Sequence, residues 1–298
     1  MPIPEAQLET WSHQGSVTQS KNTYATIKAA LEDTNAKYTS RNFKVFLQGS
    51  YGNDTNIYAE SDVDVVIRYD GAFFHDLTAL PTDQQTAFHA HYSDGTYPYS
   101  DFKGHAQCAL KTAFRDSVKP GKRAIKIEGE VSRRNADVIV AFEYRRYYKF
   151  RSAFDEQFDT GIAFKTSDGS LIPNYPKQHS ENCTAKHQAT GGNFKPLARI
   201  FKNMRGKLVD DGLIENGVAP SYYIEGLLYN APDANFSGSY EDMVYNILTW
   251  LQTTTDRSKF LCANEQYYLL YDDSPVCWPK ADGEKFINAV IELWNDWS

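Results

Sequence analysis

Residues 44–69 read KVFLQGSYGNDTNIYAESDVDVVIRY, and the fold turns on how this stretch is parsed. KVFLQ is a short apolar strand that stops at Gly49-Ser50. After eleven intervening residues, DVDVVIRY (62–69) sets Asp62 and Asp64 against Val63 and Val65. The period of a strand puts both carboxylates on one face.

Working outward, residues 5–32 read as one long helix with Leu8, Trp11, Ile27 and Leu31 among its apolar positions and interruptions at Gly15 and Ser16. Beyond the acidic strand comes a polar, aromatic-rich excursion (70–102) and then a helix over 103–117. AIKIEGEV (124–131) and ADVIVAFEY (136–144) read as strands, the second carrying Asp137. GIAFKTSDGSLIPN (161–174) is a hairpin turned at Ser167-Asp168-Gly169. From Pro176 the pattern becomes helical, over 177–189, 196–211, 220–229, 240–254 and 283–297. The reading is α+β, with a sheet-bearing domain over 1–175 and a helical lobe over 176–298 that closes a ligand cleft.

Composition narrows the partners. The net charge of −7 opposes a protein that coats long nucleic acid, while basic residues gather at 119–134 and in KPLARIFKNMRGK (195–207). Such confined patches suit a small anion. No apolar run reaches the roughly 18–20 residues that span a bilayer. Met-Pro-Ile-Pro lacks the start of a signal peptide, so a cytoplasmic protein is expected. Cys108, Cys183, Cys262 and Cys277 form no Cys-x-x-Cys pair. His179, Cys183 and His187 share a helical face, but no fourth zinc ligand is evident.

The constellation that carries chemistry is Gly49-Ser50, Asp62-x-Asp64 and Asp137. Phosphoryl transfer needs positioning and charge neutralisation, commonly by two divalent ions about 3.5–4 Å apart. Magnesium takes oxygen ligands from carboxylates, phosphates and water. Clustered carboxylates repel one another unless cations sit among them. A glycine lets the backbone approach a phosphate, and a small hydroxyl can donate to it. A helix beginning at Tyr51 and running to Ile57 would point further amides at the same group. Taken singly, an Asp-x-Asp is ordinarily a solvated strand end and a Gly-Ser a turn; their order and spacing together give the functional reading.

The string GSYGNDTNIYAESDVDVVI resembles the signature of polymerase-β-like nucleotidyltransferases. The long first helix, YPKQHSENCTAKHQATGGNFKPLARIFKNMR and PSYYIEGLLYN are similar to the cGAS/DncV-like nucleotidyltransferases (CD-NTases), over most of residues 1–230. The resemblance implies a polymerase-β-like core, a mixed sheet with a long N-terminal helix, followed by a helical C-terminal lobe. It implies that Asp62 and Asp64 bind two Mg2+ ions, with Mn2+ able to substitute. Asp137 would bind one ion and help activate the acceptor hydroxyl. Gln48, Gly49 and Ser50 would meet the triphosphate, and Lys202 its outer phosphates. Ser221 and Tyr222 would match the family's Ser-Tyr pair, the ring stacking on a base. Without the resemblance, Lys202 could face solvent, Tyr222 could be core, and Arg199 and Arg205 read as surface charges.

The implied activity joins nucleoside triphosphates such as ATP and GTP into a cyclic oligonucleotide, most simply a cyclic dinucleotide. Its product would act on a downstream effector in bacterial antiphage signalling, with the effector binding the product rather than this chain. The vertebrate cyclic GMP-AMP synthase carries a zinc insertion that this chain lacks, so no obligatory nucleic-acid activator is expected. Two rivals remain: a templateless enzyme adding nucleotides to RNA ends, and a degenerate nucleotide-binding module.

Overall fold

The computed structural model describes residues 1–15, 17–58 and 62–297. The chain divides into two compact units, neither continuous in sequence. One gathers residues 1–17, 49–61 and 177–298; the other holds 18–48 and 62–176.

The helix expected over 5–32 forms as two, α1 (Glu5–Ser12) and α2 (Thr18–Leu31). Gly15 accounts for the break. Its N–H donates to the Asn56 carbonyl at 3.1 Å, and a Cβ there would lie 2.7 Å from the Ile57 carbonyl. Ser16, the other interruption read from sequence, lies outside the described residues.

Strand β1 (Phe43–Gln48) runs into α3 (Gly49–Gly52), a single helical turn. The helix expected over Tyr51–Ile57 does not form, because residues 53–57 are used as a hydrogen-bonded loop instead. After β2 (Val63–Asp76) come α4 (Thr82–His91) and α5 (Tyr99–Phe114). The aromatic-rich stretch is thus the far half of β2 plus a helix. It has a small core of its own in Leu80, Phe88, Tyr147 and Phe150. Strands β3 (Val118–Pro120), β4 (Ile125–Ile127), β5 (Ala136–Ser152), β6 (Asp155–Lys165) and β7 (Leu171–Asn174) complete the sheet. The β6–β7 hairpin turns where expected, with Gly169 at φ 88° and Asp168 Oδ1 accepting from the Thr166 hydroxyl at 2.5 Å.

The strands pair in the order β1-β2-β5-β4-β3, with β6 joined to β5 and β7 to β6. β2 and β5 are parallel and the other pairs antiparallel, so the sheet is mixed. α2 and α5 pack against it, and the Tyr24 hydroxyl donates to the Val45 carbonyl at 3.3 Å.

The helices of the other unit are α6 (Pro176–Ala189), α7 (Phe194–Asp210), α8 (Ser221–Tyr229), α9 (Tyr240–Thr253) and α10 (Lys280–Asn295). α7 is its centre. Leu197, Ala198, Phe201, Met204 and Leu208 recur at helical spacing and are all buried. Trp278 stacks on Tyr223 with ring centroids 5.7 Å apart, and its indole N–H donates to the Val218 carbonyl at 2.7 Å. α9 begins with a capping box in which Ser239 and Asp242 satisfy each other's backbone N–H groups.

Candidate active site

The sheet unit holds the acidic residues. Gln48 faces Asp64 in the β1–β2 pairing, Asp64 faces Asp137 in the β2–β5 pairing, and Asp137 faces Lys126 in the β5–β4 pairing. These four residues therefore form one row across four strands. Val63, Val65 and Ile67 are buried on the opposite face, which leaves the aspartate face partly open. Asp62 stands immediately before β2, two residues from Asp64. The Val63 N–H donates to the Asn135 carbonyl at 3.0 Å, carrying the pairing to the end where the carboxylates lie.

Charge and burial act against each other at Asp137. Burial raises its pKa, Lys126 lowers it, and Asp62 raises it again, with a net upward shift. A carboxyl whose pKa is higher in the fold than in the unfolded chain is ionised at a cost, so at neutral pH the charge opposes folding. Asp137→Asn is therefore expected to raise the melting temperature of metal-free protein at neutral pH. The gain should fade as the pH drops through the raised pKa toward the ordinary carboxylate range. A pH series of thermal melts checks this; a variant destabilised at neutral pH contradicts it.

Gly49 and Ser50, next in the chain after Gln48, belong to the helical unit. Gly49 has φ 68°, a left-handed conformation that glycine adopts without strain. The turn is tied to the loop that follows. The Asn53 N–H donates to the Gly49 carbonyl at 3.1 Å, and the Thr55 N–H to the Ser50 carbonyl at 2.9 Å. Gln48 Oε1 is buried and has no hydrogen-bond partner among the described residues.

Lys202 is fully buried. Its Nζ donates to the Thr55 carbonyl at 3.1 Å, to Thr55 Oγ1 at 3.0 Å and to Glu225 Oε1 at 2.7 Å. An ammonium has three hydrogens, so a phosphate reaching Lys202 must draw one away from these acceptors. The solvated-face alternative for this lysine does not hold.

Ser221 opens α8, and its Oγ accepts from Arg205 Nη1 at 3.1 Å. Arg199 Nε donates to the Ser12 carbonyl at 2.5 Å and its Nη1 to the Asp54 carbonyl at 2.6 Å. Both arginines were read as surface charges. Both are half-buried, and each also donates to backbone within its unit, Arg205 Nη1 to the Ala219 carbonyl at 3.0 Å. The Tyr222 ring stacks on His179 at 4.6 Å and 21°, and its hydroxyl accepts from Asn264 Nδ2 at 2.8 Å. One ring face is thus covered.

The residue that sequence reasoning missed is Glu225. It is 2% exposed, yet its carboxylate meets four donors: Lys202, Thr55 Oγ1 at 2.5 Å, Asn53 Nδ2 at 3.1 Å and His179 Nε2 at 2.6 Å. Burial alone would raise its pKa, but Lys202 and His179 outweigh that and hold the carboxyl well below the usual range. One signal could have exposed it, a lone acid among Ile224, Leu227 and Leu228 on an apolar helix. His179, Cys183 and Glu225 also offer three ligating atoms within 4.8 Å of one another. A cation there would meet the Lys202 ammonium, and burial raises the Cys183 pKa so that its thiol keeps its proton. His187, the third member of the zinc reading, instead turns Nδ1 toward the Lys195 N–H at 3.4 Å.

Residues 181–295 match the model of the cGAS/DncV-like nucleotidyltransferase C-terminal helical domain. Over its full length the chain is 38% identical to the cyclic UMP-AMP synthase of Rhodothermus marinus, of which it covers 99%. It is 37% identical to the cyclic nucleotide synthase CdnE01 of Staphylococcus haemolyticus, with all of both chains aligned. This protein belongs to the cGAS/DncV-like nucleotidyltransferases. The solved structure of the Rhodothermus marinus CdnE c-UMP-AMP synthase with Apcpp and Upnpp superposes with a TM-score of 0.88 at 36% identity, covering 100% of this chain and 98% of that one.

CD-NTases are metal-dependent nucleotidyltransferases with a polymerase-β-like core, and the α+β fold described above is that fold. The donor set suits a hard divalent cation. Asp137 is ionised at a cost in the metal-free protein, which a cation would relieve, and carboxylate oxygens are what magnesium prefers. Among the described residues, no helix is long and apolar enough to cross a membrane.

Proposed function

We propose that this CD-NTase joins two nucleoside triphosphates into a cyclic dinucleotide and releases pyrophosphate. The observation that carries the chemistry is the in-register pair Asp64 and Asp137 on adjacent parallel strands, with Asp62 beside them. Cyclisation is supported by end-to-end similarity to enzymes named for cyclic nucleotide products.

In this reading Asp62, Asp64 and Asp137 hold two Mg2+ ions, which would neutralise phosphate charge and polarise the α-phosphorus. The Ser50 hydroxyl and the Gly49 backbone receive the triphosphate tail. Tyr222 would stack on a base, with Ser221 beside it. Asp137 would accept the proton of the acceptor hydroxyl. The hydroxyl oxygen bonds to the α-phosphorus of the other nucleotide as the bond to pyrophosphate breaks. A second transfer within the linear product closes the ring.

The four cysteines are all free, which suits a reducing cytoplasm. An effector would read the product, in keeping with an antiphage signalling role. Arg199, Lys202 and Arg205 of the basic stretch 195–207 are spent inside their own unit, and no nucleic-acid activator is invoked. Nuclease-treated protein incubated with the four nucleoside triphosphates and Mg2+ should yield a small phosphatase-resistant product with or without duplex. Product only with duplex would show a gated enzyme, and extended RNA would favour the RNA-end rival.

A further inference from the structure

We propose that Glu225 is a positioning residue that fixes the Gly49-Ser50 turn for the triphosphate, acting through Asn53 and Thr55; this rests on the transferase reading above. The chain of contacts is continuous. Asn53 and Thr55 each bind the turn through backbone N–H, to the Gly49 and Ser50 carbonyls, and each donates its side chain to the Glu225 carboxylate. Thr55 is fully buried and Asn53 nearly so. Lys202 closes the circuit by donating to the Thr55 carbonyl and hydroxyl as well as to Glu225.

The rest of the loop is pinned as well. Asp54, at φ 57°, receives Arg199 on its carbonyl and Lys195 on its carboxylate at 3.2 Å. Asn56 exchanges hydrogen bonds with Gly15 and accepts from Gln14 Nε2 at 2.7 Å. A short polar loop would ordinarily be mobile and solvated. Here each of residues 53–56 is held by side chains from α7, α8 or the segment after α1. A buried carboxylate that has all four lone-pair sites filled by fixed donors is rigid. What it makes rigid is the backbone directly under Gly49 and Ser50. Preorganisation of that kind lets a phosphate site bind without reordering its loop.

Thr55→Val removes the hydroxyl and keeps the shape, whereas Thr55→Ser keeps the hydroxyl. In calorimetry with Mg2+ and a non-hydrolysable ATP analogue, Thr55→Val should weaken triphosphate binding about tenfold, the effect of one hydrogen bond to a charged group. AMP binding should stay within twofold, and Thr55→Ser should restore the analogue to within about threefold of wild type. Asn53→Ala, a milder loss, should weaken the analogue severalfold in the same phosphate-selective way and serves if Thr55→Val does not fold. Equal losses for AMP and the analogue, or no loss of analogue binding, would overturn the positioning role. Wild-type protein that binds no triphosphate would instead overturn the transferase reading and this inference with it.

Discussion

Asp62→Asn combined with Asp64→Asn is expected to abolish product formation while leaving the fold intact. The two residues sit at the start of the internal strand β2, Asp62 exposed and Asp64 half-buried, so amides fit where the carboxylates were. An amide lacks the negative charge that holds a divalent ion. Losing several kcal/mol of charge stabilisation in the transition state corresponds to a rate loss of about 10³-fold or more. Circular dichroism and thermal melts should match wild type or exceed it, since like charges have been removed. Rate measurement at saturating Mg2+ decides the matter: a double variant within tenfold of wild type removes the metal assignment.

Lys202→Ala is expected to act first on stability. Read from sequence, a lysine in a basic helical stretch that reaches outer phosphates should lose triphosphate affinity more than fold when truncated. Its burial changes that expectation. Lys202 is fully buried beside a Glu225 that is 2% exposed, and removing one partner strands the other charge. Breaking a buried pair in this way costs about 3–5 kcal/mol. Denaturant unfolding should show that loss, and Lys202→Met, which fills the space but also strands Glu225, should not recover it. Pairing Lys202→Met with Glu225→Gln should recover part, because the uncompensated carboxylate is gone. A Lys202→Ala protein as stable as wild type would mean that the pair contributes little and that the lysine acts on substrate alone.

Much of the fold was legible because its signals are local. The strand period of DVDVVIRY and the match of turn residues at Ser167-Asp168-Gly169 needed no distant information. Helices α6 to α10 appeared within a few residues of where apolar spacing put them. The break between α1 and α2 was visible as Gly15, but its purpose was not, since that depends on Asn56 and Ile57 some forty residues away. The extension of β2 to Asp76 was hidden for a similar reason. Its Phe73 packs on a satellite core completed by Tyr147 and Phe150, and polarity along the stretch suggested a loop.

The candidate site divides along the same line. Asp62, Asp64 and Asp137 could be named from residue type and alternation, though the row linking Gln48, Asp64, Asp137 and Lys126 is a property of strand register. The backbone contacts of Arg199 and Arg205 were not legible, because charge in a sequence says nothing of the carbonyls that wait for it. Glu225 escaped because its partners Asn53, Thr55, His179 and Lys202 come from three separate segments, and only the folded chain assembles them.

The mass of the phosphatase-resistant product tests ring closure most directly. Two transfers release two pyrophosphates, so a cyclic dinucleotide has the mass of two nucleoside monophosphates less two waters, with no terminal phosphate left to remove. Mass spectrometry of the product formed by nucleic-acid-free protein should give that mass for one pair of bases or a few pairs. A product heavier than the ring by one pyrophosphoric acid, whose terminal phosphates phosphatase removes, is the linear dinucleotide left by a single transfer and would contradict the claim that this chain closes a ring.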